Sequence, residues 1–171
     1  GNDAQACRII CHAASRLHFS RNASTPALTP LHHWFSDLAP AAKKYGGILK
    51  HCAAVANILL SSPHDEVVLH GDLHHSNILD FGTRGWLAID PKGLLGERGF
   101  DYANIFTNPD LAEPTRPVAI LPERFTQRVN IVSEIARIER LRLLMWIVAW
   151  CGLSSVWFLQ EGDSATVPLR I

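Results

Sequence analysis

The sequence predicts an α+β domain, mainly helical, and two features carry that reading. Both ends of the chain hold long stretches with apolar residues at helical spacing. The middle holds three short runs rich in β-formers: Val67-Val68-Leu69-His70, Ile78-Leu79-Asp80-Phe81 and Trp86-Leu87-Ala88-Ile89. Period and length separate the two textures, since helices repeat every three to four residues and strands are short. Gly82-Thr83-Arg84-Gly85 is a turn signal between the last two runs and joins them as a short β-hairpin. A chain of 171 residues is one domain's worth, able to bury roughly 70% of its unfolded surface, so residues 1–171 read as a single unit.

Taken in order, the first helix runs from about Asp3 to Phe19, with Asp3 as N-cap and Ala6, Ile9, Ile10, Ala13, Ala14 and Leu17 on one face. The polar stretch from Ser20 to Pro30 ends it. A short helix is expected around Leu31 to Leu38, after Pro30, and a longer one from about Ile48 to Leu60, after Gly46-Gly47. Ser61-Ser62-Pro63 stops that helix, and the β-rich texture begins. Pro91 to Gly99 reads as a glycine-rich loop, Phe100 to Phe106 as one or two helical turns, and Asn108 to Pro122 as a proline-punctuated loop. Two helices close the chain, from about Pro122, well placed at N1, to Arg137 and from about Glu139 to Gln160.

Leu143 to Leu159 holds seventeen residues without a charge, the lower edge of a membrane span. Gly152, Ser154 and Ser155 within it, and Arg140 and Arg142 just before it, favour a helix buried all round in a helical domain. Sixteen basic and sixteen acidic residues cancel, so no global field draws the chain to nucleic acid or to an anionic membrane. Cys7, Cys11, Cys52 and Cys151 contain no Cys-x-x-Cys and suit a reducing compartment. Cys7 and Cys11, beside His12, sketch a metal half-site, but free cysteine is mostly a small buried apolar residue. Gly1 to Ala6 has neither a basic region nor an apolar run, which makes the cytoplasm the default location. Gly1 in place of methionine points to a processed end or to a piece of something longer.

The chemistry concentrates between His70 and Asp90. Asp72 and Asn77 stand at the Asp-x-x-x-x-Asn interval of a kinase catalytic loop, and Asp90 follows the next strand. Phosphoryl transfer needs one carboxylate to orient the attacking hydroxyl and take its proton. It also needs an amide and a second carboxylate to hold magnesium against the triphosphate. His70 and His74 are four apart, a zinc spacing on a helix, but Gly71 and the flanking β-runs put them in a loop.

His70-Gly71-Asp72-Leu73-His74-His75-Ser76-Asn77-Ile78-Leu79 resembles the catalytic loop of the aminoglycoside phosphotransferase family, where His-Gly-Asp replaces the His-Arg-Asp of protein kinases. Arg84 to Gly93, Gly96 to Phe106 and Cys151 to Trp157 are similar to the streptomycin and hydroxyurea branch of antibiotic-resistance kinases. The likeness is dense from His70 to Pro109 and looser elsewhere. It implies a protein-kinase-like C-terminal lobe, the larger one, whose β-hairpin carries the catalytic loop and a metal ligand.

The resemblance also implies roles. Asp72 is the base, Asn77 and Asp90 the magnesium ligands, and ATP the phosphoryl donor to a small-molecule hydroxyl. His70 braces the loop. Asp101 hydrogen-bonds loop backbone or is a plain N-terminal charge on a helix, and Lys92 reaches a phosphate oxygen or stays solvated. Glu161 and Asp163 are candidates to meet a polycationic substrate, or form a solvated acidic tail. One part of the pattern is missing: the residues before His70 read as helical, without a Gly-x-Gly loop or a strand lysine. The nucleotide-binding lobe is therefore expected outside this stretch, in a longer enzyme or a partner chain, unless the chain is a degenerate relative that only binds.

Overall fold

A computed structural model of the chain describes residues 2–19, 27–111, 115 and 117–171. Helix α1 (Asp3–His18) is capped by Asn2, whose side chain accepts the Gln5 N–H at 3.1 Å. This corrects the expectation that Asp3 is the N-cap. Asp3 sits in the first turn and is drawn instead to the buried Arg128 guanidinium. Cys7, Ile10, Cys11, Ala13 and Ala14 are the buried face, so both cysteines serve as small apolar residues. Of the expected polar stretch Ser20 to Pro30, residues 20–26 lie outside the described residues, and Thr29–Pro30 form a short strand, β1.

The single helix expected over Leu31 to Leu38 is two. Helix α2 (Leu31–Trp34) ends in a turn, and α3 (Leu38–Tyr45) follows with Pro40 in its first turn, where a missing N–H costs nothing. Helix α4 (Ile48–Ser61) begins after Gly46-Gly47 as expected.

Strand β2 (Glu66–Leu69) leads to the catalytic-type loop. Strands β3 (Ile78–Asp80) and β4 (Trp86–Ala88) form the hairpin, antiparallel, with Ile78 opposite Ala88 and Asp80 opposite Trp86. The expected glycine-rich loop from Pro91 to Gly99 is corrected: Leu94–Glu97 is a strand, β5, central in a three-stranded sheet of order β1-β5-β2. It runs antiparallel to β2, with Leu69 opposite Leu94. Gly96 belongs in this strand because a Cβ there would lie 2.6 Å from the Leu31 Cβ; the glycine lets α2 lie against the strand.

Helix α5 (Gly99–Ala103) runs into a 3₁₀ turn at Asn104–Phe106, and all eight residues are buried. Helix α6 (Pro122–Ala136) has proline at its first position and ends at Arg137 in the left-handed region, with φ 51°. Helix α7 (Arg140–Glu161) is capped by the Glu139 carboxylate, which accepts the N–H groups of Leu141 and Arg142, both at 2.9 Å. By length and composition α7 could cross a membrane, but 61% of its most apolar window is buried here. It packs on α3, α4, α5, α6 and α8 (Thr166–Arg170), as the central helix of the core.

That core is rich in aromatic edges. Phe35, Phe100, Trp146 and Trp150 meet edge to face, with ring centroids 5.5 to 6.2 Å apart, the arrangement that ring quadrupoles favour. Trp146 also donates to buried Glu97 at 2.7 Å, and Arg142 closes the same carboxylate as an ion pair. These contacts fasten β5 and α5 to α7, and β5 is the strand that backs the loop at His70.

Candidate active site

The loop begins where β2 ends, and three contacts fix it. Gly71 has φ +83°, and a Cβ there would lie 2.8 Å from Leu94 Cδ1, so only glycine fits. The buried Asp101 carboxylate accepts the His70 N–H with Oδ2 and the Gly71 N–H with Oδ1, each at 2.8 Å. His18, from α1, reaches Asp101 Oδ2 with Nε2 at 2.8 Å. Asp101 thus contacts loop backbone from the first turn of α5.

His70 is buried behind the loop. Its Nε2 lies 2.7 Å from the Ile89 carbonyl oxygen, and its Nδ1 is 3.3 Å from the Asp72 N–H. A carbonyl only accepts and an N–H only donates, so the ring is neutral with its proton on Nε2, a tautomer assigned from these partners. The His70 carbonyl then accepts the Lys92 N–H at 2.7 Å. One residue thus couples the loop to the segment that carries Asp90.

The hairpin completes the convergence. The Ile89 N–H donates to the Asn77 carbonyl at 3.0 Å, one step beyond the β3–β4 ladder, so Asn77 and Asp90 stand at its open end. Asn77 donates from Nδ2 to the Asp72 carbonyl at 2.8 Å and to Asp72 Oδ2 at 3.4 Å. Lys92 Nζ lies 3.0 Å from Asp90 Oδ2 and 3.5 Å from Asp72 Oδ2. Asp72, Asn77, Asp90 and Lys92 are therefore one cluster.

Asp72 is charged in this setting. A hydrogen bond from His74 holds its carboxyl down at about 2, against the upward push of burial, with the His74 and Lys92 charges and an Asn104 hydrogen bond adding to the effect. Asp90 is the more open carboxylate, 69% exposed at its side chain, in the left-handed region at φ 59°. Because Asn77 uses its NH₂ on Asp72, its free side-chain atom is an oxygen. An amide oxygen and an exposed carboxylate are hard donors of the kind that a magnesium ion takes.

Beyond Asp72 opens a cleft of about 390 Å³, lined by Asp72, His74, Asn104, Asn108, Leu111, Trp150, Ser154, Trp157, Phe158 and Glu161. Glu161, the last residue of α7, lies on it. Asp163 does not line it, because Gly162 turns the chain out of the helix at φ +80°. Sequence reasoning did not single out Asn104, Asn108 or Trp150. The signal available for the two asparagines was their spacing of four, just beyond Asp101. A smaller cavity of about 170 Å³ beside Leu31, Leu59 and Leu95 has Glu97 on its wall, and that carboxylate is committed to Arg142 and Trp146.

Comparison with known proteins sets this chain among the antibiotic-resistance kinases. Residues 1–162 match the family model described as aminoglycoside/hydroxyurea antibiotic resistance kinase, and the chain belongs to that family. It is 56% identical, over 162 residues, to streptomycin 3''-kinase of Klebsiella pneumoniae, covering 95% of this chain and 60% of that protein. It is 32% identical to streptomycin 6-kinase of Streptomyces griseus over 72% of this chain and 39% of that protein. Hydroxyurea phosphotransferase of Kitasatospora aureofaciens is 28% identical over 69% of this chain and 32% of its own length. The chain thus spans 60% or less of the length of these relatives.

Proposed function

We propose that this chain is the larger, helical lobe of a kinase-like enzyme that transfers the γ-phosphoryl group of ATP to a hydroxyl of an aminoglycoside or hydroxyurea-type compound, conferring antibiotic resistance. The observation that carries the proposal is the Lys92 ammonium lying within ion-pair distance of both Asp72 and Asp90, with Asn77 bonded to Asp72. These side chains, carried by the loop and by the chain just past the hairpin, gather around Asp72, which itself lines a cleft sized for a small molecule.

In the reaction, Asp72 orients the substrate hydroxyl and accepts its proton as the hydroxyl oxygen bonds to the γ-phosphorus. The bond from that phosphorus to the bridging oxygen breaks, and ADP leaves. Because such a transition state is loose, the work of Asp72 is largely positioning. Asn77 Oδ1 and the Asp90 carboxylate would hold magnesium, which supplies charge to the triphosphate oxygens when bound. Lys92 is placed to leave Asp90 for a phosphate oxygen. Glu161 and Asp72, both on the cleft, supply the carboxylates that a polycationic aminoglycoside would pair with. Asp163 is a weaker candidate for that task.

The lobe that covers the nucleotide is, on this reading, supplied upstream in a longer enzyme, which the 60% coverage of the streptomycin 3''-kinase supports. The alternative reading is a binding module that kept the motif without the activity. Phosphate transfer from magnesium-ATP to streptomycin, measured on the 171-residue chain and on a form extended upstream, separates them. Transfer by the extended form is expected; no transfer by either leaves only the binding module.

A further inference from the structure

Asn104 and Asn108 are 3% and 5% exposed, yet both reach the cleft. Asn104 donates from Nδ2 to Asp72 Oδ1 at 3.2 Å. Its Oδ1 accepts Asn108 Nδ2 at 2.9 Å. A side-chain amide has one donating and one accepting end. With the Asn108 donor against its Oδ1, Asn104 must turn its NH₂ to Asp72; reversed, it would set oxygen against oxygen and NH₂ against NH₂.

Asn108 is itself held. Its Nδ2 also lies 3.2 Å from the Asn104 carbonyl, and its own carbonyl accepts the fully buried Arg128 at 2.7 Å. The Thr107 hydroxyl lies 3.5 Å from Asn108 Nδ2 and 3.4 Å from Asn104 Oδ1, a longer contact on the same accepting end, and the influence of Asn108 on Asp72 runs through Asn104.

The two oxygens of Asp72 face different surroundings. Oδ2 faces Asn77 and Lys92, the side of the candidate metal ligands. Oδ1 faces Asn104 and His74, which line the cleft. We infer that Asn104 and Asn108 are positioning residues: Asn108 sets the direction of the Asn104 amide, and Asn104 holds Asp72 Oδ1 toward the cleft to receive the substrate hydroxyl. This rests on the reading of Asp72 as the base.

The test combines side-chain amide exchange by NMR on the 171-residue chain with kinetics on the form active in the transfer assay. In the wild type, the Asn104 NH₂ protons should exchange with D₂O more than about tenfold more slowly than those of Asn57, which is exposed. In Asn108→Leu, and in the smaller Asn108→Ala if the first does not fold, the Asn104 protons should exchange within about twofold of Asn57. The same variants should lower kcat by about tenfold or more, with KM for streptomycin held within about threefold. Fast exchange in the wild type, or slow exchange that persists in the Asn108 variants, overturns the inference. Faster exchange with unchanged kcat keeps the amide polarity and overturns the positioning of the base. An Asp72→Asn enzyme that still turns over would instead overturn the proposed function and leave the hydrogen-bond relation standing.

Discussion

The Asp101 carboxylate accepts the main-chain N–H of His70 at 2.8 Å, and with its other oxygen that of the next residue. Two successive loop amides are thereby fixed by one buried group on α5, before the chain reaches Asp72. Asp101→Asn keeps the shape but presents an NH₂ to one of those donors. A buried donor left without its acceptor costs about 1–3 kcal/mol. The melting temperature should fall accordingly, and transfer should slow on the order of 10²-fold as Asp72 shifts. A variant as stable and active as the wild type would separate Asp101 from the loop.

Gly71→Ala tests the other side of the same loop. The alanine would need a left-handed φ and a Cβ pressed against Leu94, and a strained residue of this kind costs on the order of 1–3 kcal/mol. Denaturant unfolding should show that loss, with the m-value unchanged.

Arg128 is fully buried, donating to the carbonyls of Ile105 and Asn108 at 2.6 and 2.7 Å and pairing with Asp3. Burial pushes the Asp3 carboxyl up, but the Arg128 hydrogen bond and charge outweigh it and leave the carboxyl below its ordinary range. Arg128→Leu removes one half of a buried pair and orphans two carbonyls, a change that costs about 3–5 kcal/mol. Unfolding in urea checks this, and a loss under about 1 kcal/mol would contradict it.

His75 predicts a pH dependence. Burial, then the nearby Arg128 charge, pushes its ring down to about 4, and its buried Nδ1 has no hydrogen-bond partner among the described residues. An unfolded histidine titrates near ~6.5, so between ~6.5 and about 4 the unfolded chain binds a proton that the folded chain refuses. Stability is therefore highest above this window and falls as the pH drops through it. His75→Phe should flatten that fall by on the order of 2 kcal/mol between about pH 7 and pH 4.5. Parallel stability curves for variant and wild type would contradict the assignment.

What the sequence made legible was what local pattern encodes. Helices α4, α6 and α7 announce themselves through Gly46-Gly47, Pro122 at N1 and the uncharged run from Leu143, and they begin within a residue of the expected places. Strand β5 was hidden because its partner, β2, is distant in sequence, and Gly96 spoils a strand pattern while serving the packing of Leu31. The cluster of Asp72, Asn77 and Asp90 followed from spacing and resemblance. Asn104 and Asn108 offered only a spacing of four, because their meaning lies in hydrogen bonds made across the fold to Asp72 and Arg128. The separation of Glu161 from Asp163 depended on one turn at Gly162 that composition does not specify.

The central claim is that Asp72 is the base of a phosphotransferase, and substitution there tests it most directly. Phosphate transfer from magnesium-ATP to streptomycin should be measured for Asp72→Asn in the active, upstream-extended form, with thermal unfolding alongside. The account predicts a fold that survives and a rate down by on the order of 10²–10⁴-fold, the usual contribution of a positioned acid or base. Full turnover by the folded variant would contradict it.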